Sequence, residues 1–553
     1  MNIFSFRIRA LLGALIFFLA GCGDSSDPPS SQSTITSFSS PNYPNCLLNA
    51  STPECQGAKP GPPYVIYTSR SDGAMDAAVN TDIVAVFSEP LNPSSVSTGS
   101  LIVTDDENKV VPGFVTYDGT RNALIFHQSQ DLTTHRYTAT VAANVQDLEG
   151  NKMGSSYSWS FTVDPARRDT SQQLSIQQIL DKAAYTYQIP GSIIAIRDNQ
   201  GKTWSTTNGY ANLATRTPTR TNMRFRVGSN TKTYVATVIL QLVDAGKVNL
   251  DDPVNKYLSA EMTSYMPAYD GNRITIRHLL NHTSGIANFT IDNTWGDAFI
   301  SDPFKQYFPQ ELLMIANGLA NAPGAPQFGN FYYSNTNYVL LGLIIRKASG
   351  LTYEDAVANG ITISQGLSGT TIPRIGDATL PLPFSNGYWE DTETNTLHDV
   401  TFRDASTVWS SGDIISTISD LARWGELLGK GSLLSSGTQA QRLQFVPMTD
   451  NLSYGLGIVK DNGANLLGHQ GGMIGYTSQT YYMPDTGYTL AFFYNRTLAL
   501  HDYSVVMTYD TIRVLWPDRQ NVTPSAASLQ PRVFSKQKGE ANNLGRPGFL
   551  TEY

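Results

Sequence analysis

The stretch Phe225-Arg226-Val227-Gly228-Ser229-Asn230-Thr231-Lys232 decides how this chain is read. Ser229 and Lys232 form S-x-x-K. A helix signal follows at once: Val235, Val238, Ile239, Leu242 and Val243 recur at helical spacing, and Gly246 supplies a stop. Three residues apart on a helix, a hydroxyl and an amine share one face, so the amine can reach the hydroxyl. The helix N-terminus also favours negative charge developing near Ser229. Alone the pattern is weak. Ser535 and Lys538 repeat it with no apolar helix behind them. An N-capping serine with a surface lysine accounts for most such matches.

The downstream sequence changes that. Pro323-Gly324-Ala325-Pro326 is followed by Tyr333-Ser334-Asn335, and later by His469-Gln470-Gly471 and Gly472. In this order and at these separations the three elements resemble the serine penicillin-recognising hydrolases. The branch is that of class C β-lactamases, D-Ala-D-Ala carboxypeptidases and related esterases. Three phrases look like that branch almost word for word: Gln241-Leu242-Val243-Asp244-Ala245-Gly246-Lys247, Arg277-His278-Leu279-Leu280-Asn281-His282-Thr283-Ser284-Gly285 and Tyr333-Ser334-Asn335-Thr336-Asn337-Tyr338.

The resemblance implies roles that the chemistry makes intelligible. Ser229 attacks a carbonyl and forms an acyl-enzyme; its hydroxyl needs a neighbouring base, and Lys232 and Tyr333 are the candidates. A lysine serves only if burial or a nearby positive charge depresses its pKa, and a phenolate is favoured by an ammonium beside it. The choice between them stays open. Asn335 orients Lys232 and binds a substrate amide. His469 adds polar or positive character beside the site. Gly471 and Gly472 let a strand edge approach substrate. The backbone N–H groups of Ser229 and Gly472 form the oxyanion hole. One departure stands out. In the carboxypeptidase branch an arginine near the third motif pairs with the substrate's terminal carboxylate, whereas Tyr454-Gly455-Leu456-Gly457-Ile458-Val459 offers only Lys460 at its end. Gln470 and Gly472, flanking Gly471, also lack the hydroxyls of that branch.

Other chemistries fit less well. His278 and His282 are four apart, but Leu279 stands where H-E-x-x-H needs Glu, so a helix-end pair is the better account than zinc. No G-x-S-x-G nucleophile elbow occurs, and no Walker or Rossmann glycine pattern stands in the right context. The expected activity requires no metal or organic cofactor.

Outward from the motifs, residues 171–517 alternate helical and strand-like patterns, as in an α/β or α+β hydrolase domain. Residues 63–165 read as all-β. Ile83–Phe87, Leu101–Val103, Ala123–Phe126, Tyr137–Val141 and Tyr157–Val163 are β-prone runs separated by turns such as Asp118-Gly119 and Glu149-Gly150-Asn151. Five clear runs, and about seven in all, suggest a β-sandwich. Phe87-Ser88-Glu89-Pro90-Leu91, Asp147-Leu148-Glu149-Gly150-Asn151 and Trp159-Ser160-Phe161-Thr162-Val163 resemble bacterial Ig-like domains of surface proteins, and a spacer is the favoured role.

Residues 1–21 read as a secretory signal. Arg7 and Arg9 precede the apolar run Ala10–Ala20, too short to span a bilayer, and Leu19-Ala20-Gly21-Cys22 resembles a bacterial lipobox. That resemblance implies lipidation of Cys22 and a bacterial cell-envelope location. Gly23 in place of aspartate favours the outer membrane. Residues 22–62 form a Ser/Pro/Gly-rich tether in which Cys46 and Cys55 could close a small loop. Residues 518–553 are a polar tail.

Composition agrees with this layout. A chain of 553 residues exceeds one core, and 41% hydrophobic with 15% charged residues excludes a mostly disordered protein. The net charge of −8 leaves no basic surplus for nucleic acid. All three cysteines precede residue 56, so the main body has neither a cysteine nucleophile nor a cysteine zinc site. The expectation is therefore a multidomain chain, an Ig-like sandwich followed by a lipid-anchored serine hydrolase. Its substrate would be a peptide, amide or ester, with peptidoglycan a candidate and a D-Ala-D-Ala carboxypeptidase-like activity foremost. The alternatives are a carboxylesterase or weak β-lactamase of the same fold, and a non-catalytic surface binding protein.

Overall fold

The computed structural model describes residues 61–133, 136–391, 396–497 and 503–519. Cys22, Cys46, Cys55, the signal, the tether to residue 60 and the second S-x-x-K lie outside them.

Among the described residues the first unit has eight strands: β1 (Val65–Thr68), β2 (Ala74–Ala77), β3 (Ile83–Phe87), β4 (Leu101–Asp105), β5 (Gly113–Asp118), β6 (Ala123–Gln128), β7 (Arg136–Val141) and β8 (Tyr157–Val163). They form two four-stranded sheets, β1-β3-β6-β5 and β2-β8-β7-β4. In β8, Trp159, Phe161 and Val163 point inward while the residues between them stay partly exposed. The period-2 pattern sets which face of the strand enters the core.

The second unit is built on a nine-stranded antiparallel sheet. Its strands are β9 (Gly191–Arg197), β10 (Thr203–Asn212), β11 (Thr217–Pro218), β12 (Val446–Pro447), β13 (Leu452–Tyr454), β14 (Val459–Asp461), β15 (Leu466–Met473), β16 (Tyr476–Tyr482) and β17 (Thr489–Tyr494). The order is β11-β10-β9-β17-β16-β15-β14-β13-β12. The central strands carry near-continuous apolar runs because both faces are covered. On one face Ile193, Ala195, Ala491 and Phe493 join a large core. That core includes α2 (Thr231–Asp244), α3 (Asn335–Ser349) and α4 (Ile418–Lys430). On the other face Ile194, Ile196, Leu490 and Phe492 pack with α1 (Ser171–Tyr187) and α5 (Tyr503–Leu515).

Helix α2 runs through the main core, and every residue from Thr231 to Leu240 is buried. Two of its threonines donate back along the chain, Thr233 and Thr237 to the carbonyls of Asn230 and Thr233 at 2.6 and 2.7 Å, and Thr231 accepts the Ile414 N–H at 3.1 Å. Polar bonds join the two units. Arg70 donates to Gln177 at 3.1 Å, Ser71 to the Gly209 carbonyl at 3.1 Å, and the Asp72 N–H to the Tyr210 hydroxyl at 3.2 Å. The sandwich is thus fastened to α1 and β10.

Candidate active site

Ser229 lies in a single 3-10 turn, Gly228–Asn230, that opens α2. Gly228 has φ +52°, and a Cβ there would lie 2.5 Å from the Gly472 carbonyl oxygen. A Cβ on Gly471 would lie 1.9 Å from the Val227 carbonyl oxygen. Gly228 and Gly471 let β15 press against the nucleophile turn, a close approach of backbone to backbone where the sequence suggested that Gly471 and Gly472 admit substrate. The turn is also braced by Ser478 on β16, which donates to the Val227 carbonyl at 2.8 Å and accepts from Asn230 at 2.8 Å.

Lys232 is wholly buried. Its Nζ lies 2.8 Å from Ser229 Oγ, 2.6 Å from Asn335 Oδ1 and 2.8 Å from the Ser411 carbonyl oxygen. The last two atoms only accept, so two N–H directions are fixed and a third tetrahedral direction meets the serine hydroxyl. Ser411 ends the 3-10 turn Trp409–Ser411, its N–H and hydroxyl both donating to the Val408 carbonyl at 3.1 and 2.6 Å, and beyond it a short ladder pairs Arg224–Arg226 with Ile415–Thr417. Next to that ladder the Val227 N–H donates to Ile414 at 2.9 Å.

Tyr333 immediately precedes Ser334 and α3. Lys232 Nζ sits 4.8 Å from the centre of its ring. Asn335, the first residue of α3, receives its backbone position from Asn288, whose Oδ1 accepts the Asn335 N–H at 3.2 Å. Ser334 is turned away into structure, its hydroxyl donating to the Ala287 carbonyl at 3.1 Å. Ser229, Lys232, Tyr333 and Asn335 therefore meet at one place, although they span more than one hundred residues.

His469 departs from expectation in one respect. It is fully buried on β15, and burial, reinforced by Lys232, drives its pKa down to about 3. The ring is neutral and supplies no positive charge. Its Nδ1–H donates to the Gln470 carbonyl, so Nε2 accepts from the Tyr454 hydroxyl at 2.9 Å. Lys460 does not replace the missing arginine either. Val459 packs with Tyr333 and Tyr454, so Lys460, its neighbour on β14, faces the other side of the sheet. The Lys460 ammonium rests 5.6 Å from the Phe445 ring.

Sequence reasoning missed Ser411, Asn288, Ser478 and Tyr454, which act through a carbonyl, an amide, a hydroxyl and a phenol common throughout the chain. It also treated His278 and His282 alike. The structure separates them: His278 caps a short helix with Thr275, whereas His282 is buried against Tyr333 with ring centres 4.3 Å apart. Among the described residues, the carboxylates close enough together to share a metal are Glu89, Asp147 and Glu149, in the Ig-like unit. There Asp147 already accepts from the backbone and side chain of Asn151, at 2.8 Å each.

Comparison with known families agrees with this geometry. Residues 176–505 match the beta-lactamase family. The chain belongs to that family. It is a serine hydrolase of the beta-lactamase and penicillin-binding-protein fold. Residues 59–163 match the bacterial Ig-like domain. A penicillin-binding protein of Bacillus subtilis (strain 168) is 27% identical over 339 residues, covering 58% of this chain and 71% of its own. Further relatives are matched over only 52% and 37% of their own length. Among solved structures, a D-stereospecific amidohydrolase from Streptomyces sp. is 33% identical with a TM-score of 0.53, covering 58% of this chain and 94% of its own. The D-amino acid amidase of Ochrobactrum anthropi SV3 shares the fold, at 23% identity and TM-score 0.55, covering 63% of this chain and 100% of its own.

Proposed function

We propose that the protein cleaves amide bonds of D-amino-acid peptides or amides through an acyl-serine intermediate on Ser229. The observation that carries this is the 2.8 Å contact of Lys232 Nζ with Ser229 Oγ, held by Asn335 and the Ser411 carbonyl. In this reading Ser229 Oγ attacks the substrate carbonyl carbon as its proton passes to the Lys232–Tyr333 pair. The C–N bond then breaks and the pair returns that proton to the leaving amine. Water attacks the resulting ester, restoring the hydroxyl and releasing the acid. The Ser229 and Gly472 N–H groups hold the oxyanion, an arrangement in which losing one donor typically costs ~10²–10³ in rate. His469, being neutral, acts here as a fixed dipole and not as a cation.

The D-configured substrate is supported by the likeness to the Streptomyces amidohydrolase. The orientation of Lys460 argues against dependence on a free terminal carboxylate, so blocked D-peptides and esters are substrates on the same footing as free acids. The lipobox-like Leu19-Ala20-Gly21-Cys22 supports anchoring in a bacterial envelope, which puts peptidoglycan peptides within reach. Cys22→Ala then moves the protein from the membrane fraction to the soluble one.

The test uses D-alanyl-D-alanine peptides with free and amidated termini, p-nitrophenyl acetate and a fluorescent penicillin, each with the wild type and Ser229→Ala. Serine-dependent turnover with little preference for the free acid is expected. A strong preference for the free acid would show the carboxylate argument wrong. Absence of both covalent labelling and serine-dependent turnover would leave a non-catalytic surface protein.

A further inference from the structure

We infer that His282 is a positioning residue that holds Tyr333 in line with the Ser229–Lys232 pair. The inference rests on the reading of Ser229 as nucleophile, and it adds a residue that touches neither substrate nor the reacting atoms.

His282 is bonded to the chain on both sides of Tyr333. Its carbonyl accepts the Tyr332 N–H at 2.8 Å, and its ring Nδ1 accepts the Ser334 N–H at 3.1 Å. The Asn337 amide nitrogen lies 3.2 Å from the same Nδ1. Between these attachments the imidazole covers the Tyr333 ring, with planes 34° apart. One residue therefore fixes the backbone before and after the tyrosine and the tilt of its ring.

The surroundings allow this clamp one chemical form. An Nδ1 that accepts a backbone N–H must carry its lone pair, so the proton sits on Nε2. The ring is completely buried among Phe331, Tyr333, Tyr338 and Tyr454. Burial, with Lys232 and His469 as the nearby cationic and titratable groups, keeps it neutral. Protonation would cancel the acceptor and put a second cation beside Lys232. The backbone directs the residue as well: His282 has φ +60° in the left-handed cap that ends the helix Ile276–Leu280, where the Thr283 N–H bonds back to the His278 carbonyl at 3.0 Å, and the chain leaving this cap carries the ring to Tyr333.

The consequence is kinetic. Tyr333 has to present its hydroxyl within hydrogen-bond reach of the serine proton and the leaving group, and a misplacement near 1 Å can cost on the order of 10²-fold. Releasing the clamp should slow acylation and leave substrate binding nearly unchanged. Asn is the informative replacement. Its Oδ1 stands at the position of Nδ1 on the side chain, it accepts the Ser334 N–H, and it tolerates positive φ. Phe keeps the ring and loses the acceptor.

The experiment measures p-nitrophenyl acetate turnover and the saturating rate of fluorescent-penicillin labelling for the wild type, His282→Phe and His282→Asn. Thermal melting is recorded for each. His282→Phe is expected to lower kcat and the labelling rate by about 10–100-fold with KM within about twofold. His282→Asn should recover the rate to within about threefold of wild type. Should His282→Phe fail to fold, His282→Gly, which accepts positive φ and has no acceptor, takes its place. Equal rates in Phe and wild type, equally slow Phe and Asn variants, or a change confined to KM would each overturn the inference. A wild type with no Ser229-dependent activity would instead overturn the nucleophile assignment, and the positioning role would fall with it.

Discussion

Around Ser229 the bracing is mostly main chain, whereas around Tyr333 much of it is side chain. The Val227 and Ser411 carbonyls and the Val227 N–H tie the nucleophile turn to β16, to Lys232 and to the ladder strand at Ile414. Across the site, His282 Nδ1 and Asn288 Oδ1 hold the N–H groups of Ser334 and Asn335. The difference teaches where the site can be adjusted. On the nucleophile wall substitution reaches the bracing through the side chains of Ser478 and Asn230, while the main-chain carbonyls and N–H groups stay in place. The tyrosine wall can be loosened by changing residues that never meet substrate.

The largest effect should come from removing a reacting group. Lys232→Ala takes away the amine beside Ser229 and should reduce acylation by ~10³-fold or more, with Tyr333→Phe in the same range if the phenol shares the proton. A much smaller loss for one of the two, measured by single-turnover labelling, would assign the base to the other. Asn288→Ala sharpens the comparison from the opposite wall. It leaves the buried Asn335 N–H unpaired, costing ~1–3 kcal/mol. The expected fall in acylation is about tenfold. A fall as large as that of Lys232→Ala would show the two walls to be equivalent.

The smallest effect concerns pH. His469 is held neutral to about pH 3 by burial and by Lys232. In the unfolded chain a histidine takes up its proton near pH 6.5. The unfolded state therefore binds more protons between these values, and stability falls as the pH drops from about 6.5 toward 3. The slope is roughly 1 kcal/mol per pH unit for this residue. His469→Gln should show a smaller drop in Tm between pH 7 and pH 5 than wild type. An unchanged drop would mean that the ring is not held neutral.

Legibility in the sequence followed the range of the interactions. The S-x-x-K pair was readable because both residues lie on one helical turn. Strands such as Tyr157–Val163 were readable because alternation survives where one face meets a core. The short strand Ala74–Ala77 carried no such pattern, and Asp76 within it has φ +66°; with Val65–Thr68 and Gly113–Asp118 it makes eight strands among the described residues, where five runs were clear and about seven were expected. Tyr333 and Asn335 were found through motif order, since nothing local marks them. Their supports were not legible. Asn288 and His282 act through hydrogen bonds that reach 47 and 52 residues along the chain, and Ser411 acts through a carbonyl that every residue possesses. The neutrality of His469 was also out of reach, because burial decides it.

The central claim is that Ser229 carries the acyl group. Intact-mass measurement after incubation with a fluorescent penicillin, followed by peptide mapping, tests it most directly. The account predicts a single adduct on the peptide containing Ser229, absent from Ser229→Ala. An adduct on another residue, or labelling and ester turnover that persist unchanged in Ser229→Ala, would contradict it.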